Sequence, residues 1–172
     1  MAVAEAVRRA AIAKFRNNGQ VCIAASRFYV HHEVRQAFEQ ETVSLLRGWK
    51  IGNGLDPEVS LGPLFEPRIV EKTEALVADI VSKGGRILYG GKRPEGKEYQ
   101  RGYFFEPTVA TDVTQEMLIM QEEPFCPILP ICAFRDTEEV LARANSTRYG
   151  LAAYVVTNDL RTAVRMAEGL EA

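Results

Sequence analysis

The sequence predicts an α/β fold in which a largely parallel sheet is flanked by helices, and two observations carry the prediction. Short apolar or β-branched runs at 28–30, 86–89, 128–134 and 151–157 alternate with amphipathic segments. Where those segments run to about ten residues or more, they serve as crossovers between parallel strands. Hydrophobic residues also make up 47% of the 172, and no internal repeat or low-complexity linker divides them. One core and one domain, 1–172, account for that composition.

The elements follow in order. Val3, Val7, Ala10 and Ala11 recur at helical spacing in an alanine-rich stretch, predicting a helix over 2–14 that stops in the turn Asn17, Asn18, Gly19. Phe28, Tyr29 and Val30 read as a strand. A helix over 33–47 carries Val34, Phe38, Leu45 and Leu46 on its apolar side. IGNGLDPEVSLGP is dense in turn formers and is a long loop. Ile69, Thr73, Leu76, Val77 and Ile80 place a helix at 67–83, ended by Gly84 and Gly85, and the short strand 86–89 follows. After a polar turn region, YFFEPTVA alternates like an edge strand that Pro107 helps to terminate. ILPICAF, 128–134, is apolar throughout and fits a strand buried on both faces. Asp136 caps the next helix, with Glu139 completing a capping box. LAAYVVT, 151–157, reads as a last strand, and Asn158-Asp159 opens the final helix.

The formal charge is -2, with Lys and Arg interspersed among Asp and Glu, so there is no basic stripe to track phosphates and no nucleic-acid partner is expected. No basic-then-apolar leader begins the chain, no apolar run is long enough to cross a bilayer, and no membrane partner is expected. The three cysteines, Cys22, Cys126 and Cys132, form no CxxC pair and have no histidine at zinc-ligand spacing. No metal site is expected, and a reducing, cytoplasmic setting fits.

The stretch FRNNGQVCIAAS, residues 15–26, frames a cysteine with amides and a glycine, which ordinary packing does not require. Sulfur attacks as thiolate, and a free thiol is only slightly ionised at neutral pH. Backbone N–H groups at a turn favour that anion and, later, the oxyanion of a tetrahedral adduct. Gly19 permits close backbone approach, while Asn18 and Gln20 offer amide donors without adding charge. Taken alone, this pattern leaves a functional and a purely structural Cys22 equally open.

The residues resolve that choice through a resemblance. Phe15, Gly19, Gln20, Cys22, Ile23, Ala24 and Ser26 match the cysteine active-site signature of the NAD(P)-dependent aldehyde dehydrogenase superfamily. QEEPFCPILP, ANSTRYGLAAYVVTNDL, LGPLFEPR and FFEPTVATDVTQEM resemble further segments of the family in its order, so the likeness covers nearly all of 2–171. The overall look is nearest to succinate-semialdehyde dehydrogenase-like members.

The resemblance implies the fold of the aldehyde dehydrogenase catalytic domain and an oxidation of an aldehyde to a carboxylate with NAD or NADP. Cys22 would attack the carbonyl, with its own N–H holding the oxyanion. The thiohemiacetal would lose hydride to the nicotinamide, leaving a thioester that water hydrolyses. By position in the motif, Glu123 would hydrogen-bond the nicotinamide ribose and Phe125 would pack beside it. The implied substrate is a small aliphatic aldehyde such as succinate semialdehyde, and the implied assembly is a homo-oligomer, dimer or tetramer.

Two departures qualify the likeness. Cys126 stands where related sequences usually carry glycine. A positive φ there would cost a residue with a β-carbon roughly 1 kcal/mol or more, and the thiol would be a second, oxidisable one near the site. Related enzymes also carry a dinucleotide-binding domain, a water-activating glutamate and an oxyanion-hole asparagine that have no counterpart here, and a C-terminal oligomerisation segment. The expectation is therefore a partial catalytic domain, incomplete as a dehydrogenase by itself. Its alternatives are a self-associating structural module or a domain retaining only esterase-like acyl transfer at the thiol.

Other signals are weaker. Gly52-Asn53-Gly54 has Pro57 where a dinucleotide fingerprint needs its third glycine, and Gly85 to Lys92 has the wrong spacing for a phosphate loop. His31 and His32 raise the possibility of a Cys-His hydrolase, but at about 3.3 Å per strand residue they fall beyond hydrogen-bond reach of Cys22. Glu5, Glu66, Glu71 and Glu116 have no spacing that marks one of them as a water-activating base.

Overall fold

The computed structural model describes residues 2–172. Its sheet has four strands, β1 (Phe28–His31), β2 (Arg86–Tyr89), β3 (Thr108–Thr111) and β4 (Ile128–Phe134), in the spatial order β1-β4-β3-β2. β4 pairs parallel with β1 (Phe28 opposite Ile131) and with β3 (Thr108 opposite Ile128), and only β2 runs antiparallel. The α/β class with a largely parallel sheet is thus observed.

Period-two alternation along the central strands assigns each side chain to one of two cores. Val109, Leu129 and Ile131 face α1 (Val3–Phe15) and α2 (His32–Arg47), packing against Val7, Ala11, Phe15, Phe38 and Leu46. Ala110, Ile128 and Cys132 face the opposite way, toward α3 (Pro67–Ser82) and the short α4 (Leu118–Gln121), among Leu76, Ile80, Met117 and Ile119. ILPICAF is therefore buried on both faces at its start, as its unbroken apolarity requires.

Helix ends follow local chemistry. Asp136 accepts a 2.9 Å hydrogen bond from the Glu139 amide at the start of α5 (Thr137–Asn145). Glu139 reaches back to the Arg135 amide at 2.8 Å, one residue ahead of the usual capping-box target. Asp159 caps α6 (Leu160–Gly169) through the Thr162 amide.

Two strand expectations need correction. YFFEPTVA does not form an edge strand ended by Pro107; β3 begins after Pro107, lies between β4 and β2, and is buried at all four positions. Proline lacks the N–H for a ladder, so it sits at the entrance instead of within. LAAYVVT forms no ladder: 151–157 runs without regular structure, with Leu151, Tyr154, Val155 and Val156 exposed. Its β-branched composition meets no partner strand among the described residues, and an unpaired segment cannot be a strand. Among the described residues, no helix is long and apolar enough to cross a membrane.

Candidate active site

The turn that carries the cysteine is built from three consecutive left-handed residues. After α1 ends at Phe15, Asn17 (φ 49°), Asn18 (φ 57°) and Gly19 (φ 76°) reverse the chain. Asparagine tolerates this region better than most residues, which explains the pair of amides ahead of the glycine. At Gly19 a second constraint applies: a β-carbon would lie 2.5 Å from the Cys126 carbonyl oxygen. The segment leading into β4 and the cysteine turn thus touch backbone to backbone.

The flanking amides hold the turn. Asn18 is buried and donates its Nδ2 hydrogens to the Gly62 and Pro63 carbonyls at 3.0 and 3.2 Å. Gln20 donates from Nε2 to Asn17 O at 3.0 Å and accepts from the Phe65 amide through Oε1 at 2.9 Å. Both side chains staple the turn to the long loop ahead of α3. Asn18 has no amide hydrogen left over for a substrate.

Cys22 itself is exposed. It sits in a turn closed by a 2.9 Å bond from the Ala24 amide to the Val21 carbonyl, and the Ala25 amide ties the exit to Ala13 O at 3.1 Å. No acceptor among the described residues bonds the Cys22 N–H. The residue lines a groove of about 940 Å³ together with Ser26, Arg27, Glu123, Tyr149 and Tyr154. Volume of that order accommodates a small organic substrate and part of a cofactor.

Glu123 shares this groove, and its neighbours are fixed. Lys72 on α3 donates to the Glu123 carbonyl at 2.9 Å and pairs with the Glu122 carboxylate at 3.3 Å. Arg27, just past the cysteine turn, donates from Nε to Met120 O at 2.7 Å and lies over the Tyr149 ring at 5.8 Å. Phe125 is on the surface, about one third exposed (36%), and does not line the groove.

The positive φ in this loop belongs to Phe125 (46°), not to Cys126. The expected backbone penalty therefore falls one residue earlier, and cysteine replaces glycine without that strain. Nor is Cys126 poised for oxidation: it is fully buried, and burial pushes its thiol above the ordinary range, with buried Lys14 opposing only in part. Cys132 is likewise buried, its thiol raised first by burial.

Of the remaining candidates, His31 also lines the groove. His31 caps α2, accepting from the Glu33 amide at Nδ1 (3.4 Å), while its Nε2 contacts Arg135 O at 2.8 Å. Its ring is committed to the strand end by these two contacts. None of Glu5, Glu66, Glu71 or Glu116 lines the groove. Among the described residues, no group of three or more His, Cys, Asp or Glu side chains is placed to hold a metal ion.

Three residues enter the site without a signal in the sequence. Lys72 and Arg27 anchor the Glu123 loop and the exit of the cysteine turn, and Tyr154 donates to Ile23 O at 2.9 Å across 131 positions. Each acts through a backbone carbonyl contributed by a distant segment, which no local pattern encodes.

Comparison with known proteins adds independent information. The model of the aldehyde dehydrogenase family matches residues 1–172. A probable NADP+ succinate-semialdehyde dehydrogenase of Sinorhizobium fredii is 43% identical over 166 residues, covering 96% of this chain and 33% of that protein. Glutarate-semialdehyde dehydrogenase of Pseudomonas putida is 41% identical over 167 residues, covering 97% and 34% respectively. The betaine aldehyde dehydrogenase of Staphylococcus aureus, solved with NAD+, superposes with a TM-score of 0.94 at 35% identity over 98% of this chain and 34% of its own. The chain spans about a third of the length of these relatives.

Proposed function

The chain belongs to the aldehyde dehydrogenase family, and on that premise we propose that it forms the catalytic portion of an NAD(P)-dependent oxidoreductase converting a small aliphatic semialdehyde, succinate semialdehyde being the type, to its carboxylate. The carrying observation is the exposed thiol of Cys22, whose backbone N–H meets no acceptor among the described residues, in the same groove as Glu123. Two relatives that resemble it in sequence act, by name, on succinate and glutarate semialdehydes.

In this reading Cys22 Sγ adds to the aldehyde carbon, and the developing oxygen charge is received by the Cys22 N–H. A pre-oriented donor of this kind acts in the transition state without reorganising, which is why its loss costs about 10²–10³ in rate. Asn18, Gly19 and Gln20 hold the turn in the shape that aims this donor. Glu123 is a carboxylate that lines the groove with Cys22 and would accept from a ribose hydroxyl of the cofactor, with Lys72 and Arg27 fixing the two segments on either side. Phe125, at the loop's left-handed position, stands outside the groove lining and would pack only against a part of the cofactor that extends beyond the groove. A nicotinamide cofactor, when bound, supplies the hydride acceptor; NADP+ and NAD+ both occur among the relatives.

The test is NADH or NADPH formation with a panel of small aldehydes, alongside release of nitrophenolate from p-nitrophenyl acetate, for the parent and Cys22→Ser. Acylation confined to the parent, with or without hydride transfer by this chain alone, supports the thiol as nucleophile. A folded parent whose Cys22 is not acylated refutes it.

A second reading has its own observation. Leu151 (66%), Leu160 (76%) and Val156 (47%) expose apolar surface along one segment, which would favour self-association of the chain. Size-exclusion chromatography over a range of concentrations tests it, and a strictly monomeric chain excludes it.

A further inference from the structure

Tyr154 stands in a segment without regular structure, yet its hydroxyl makes a specific contact, donating to the Ile23 carbonyl at 2.9 Å. That carbonyl belongs to the same peptide unit as the Ala24 N–H, which donates to the Val21 carbonyl at 2.9 Å. The Val21 carbonyl shares its peptide unit with the Cys22 N–H. In a trans peptide the C=O and N–H point in opposite directions, so a Val21 carbonyl facing into the turn sends the Cys22 N–H outward. There are no cis peptides among the described residues.

We infer that Tyr154 is a positioning residue for the oxyanion donor, acting through two peptide units: its O–H bonds the Ile23 carbonyl, the Ala24 N–H bonds the Val21 carbonyl, and the Cys22 N–H at the end of the chain meets the oxyanion. The inference rests on Cys22 being the nucleophile. Hydrogen bonds linked in series polarise one another, strengthening each by about 10–30%. The first bond also fixes the plane of the second peptide, and through it the direction of the last N–H.

Tyr154 is half exposed, at 53%, so water can satisfy the Ile23 carbonyl when the hydroxyl is removed. The loss therefore falls on orientation and polarisation and leaves the fold intact. Taking about 10²–10³ for a complete oxyanion donor and about 10–30% of its free energy for the relay, Tyr154→Phe should slow acylation of Cys22 by roughly two- to eightfold.

The experiment measures p-nitrophenyl acetate acylation of the 172-residue chain, parent and Tyr154→Phe, with 3-fluorotyrosine introduced at position 154 as the stronger donor below the pH at which it ionises. The Cys22 amide proton shift is followed in parallel by NMR. Expected are slower acylation and an upfield amide shift in Tyr154→Phe, and the opposite for both with fluorotyrosine, an ordering that a merely structural contact would not produce. Unchanged rates and an unmoved amide in Tyr154→Phe overturn the relay alone. Absence of acylation in the folded parent overturns the dehydrogenase reading and the role of the relay with it.

Discussion

Gly19→Ala tests the contact on which the cysteine turn is built. The substitution meets two separate obstacles. At φ 76° an alanine occupies the left-handed region, which costs about 1–2 kcal/mol. Its β-carbon would also stand 2.5 Å from the Cys126 carbonyl oxygen, 3.1 Å from the carbonyl carbon and 3.2 Å from Lys14 O, all backbone atoms. None can swing aside as a side-chain tip would, because Cys126 is fully buried and the Pro127 carbonyl that follows is bonded by the Thr108 amide at 2.8 Å. Overpacking of this kind costs about 1–3 kcal/mol. Together the terms predict a loss of about 2–5 kcal/mol, and at roughly 2–4 °C per kcal/mol for a chain of this size Tm should fall by about 4–20 °C. Thermal unfolding followed by circular dichroism reads it, with Cys22 acylation measured below the transition. Gly54→Ala is the control: nothing lies within 4 Å of its β-carbon and its φ is not left-handed, so its stability should stay within about 0.5 kcal/mol of the parent. A Gly19→Ala chain equally close to the parent would refute the backbone-contact argument.

Two further outcomes follow from buried and paired charge. Lys14 is fully buried and its Nζ has no hydrogen-bond partner among the described residues, so Lys14→Met should stabilise the chain by about 1–3 kcal/mol near neutral pH. Burial holds the Lys14 ammonium below its ordinary value of 10.5. The unfolded chain thus keeps a proton that the folded chain sheds, and parent stability rises with pH toward 10.5. The advantage of methionine in urea unfolding should shrink over that range, and an advantage independent of pH would contradict the assignment. For Asp112, burial alone would raise the carboxyl, but hydrogen bonds from Arg86 (2.7 Å) and Arg35 (2.8 Å) outweigh it and hold the group below 3.8. Its contribution is therefore present above 3.8 and lost as pH falls through the lower folded value. Asp112→Asn, tolerable at φ 55°, should flatten the acid limb of stability against pH. Parallel acid limbs in the two proteins would refute the pairing.

Much of the fold was legible because it rests on periodicity. The 3.6-residue pattern of α1, α2 and α3 and the unbroken apolarity of β4 each state which face is buried, and burial is what the pattern records. The failures share one cause. LAAYVVT has strand-like composition, but a strand exists only by pairing, and pairing is a property of two segments. YFFEPTVA misled through its proline, which can end a strand or precede one, and only the ladder between β3 and β4 decides which. At Cys126 the local rule was sound, since a left-handed residue is present in the loop; its place at Phe125 depends on how the chain enters β4.

The same division runs through the candidate site. The sequence by itself determined the family signature, the cysteine at 22 within it and the need for a glycine at 19, because these depend on residue type at fixed local spacing. Tertiary structure alone decided that Asn18 and Gln20 are staples, that Lys72 and Arg27 secure the Glu123 loop, and that Tyr154 reaches Ile23. A hydrogen bond to a backbone carbonyl leaves no mark on the identity of the residue that offers it. Every carbonyl looks the same in a sequence, and only folding chooses which one a distant side chain will meet.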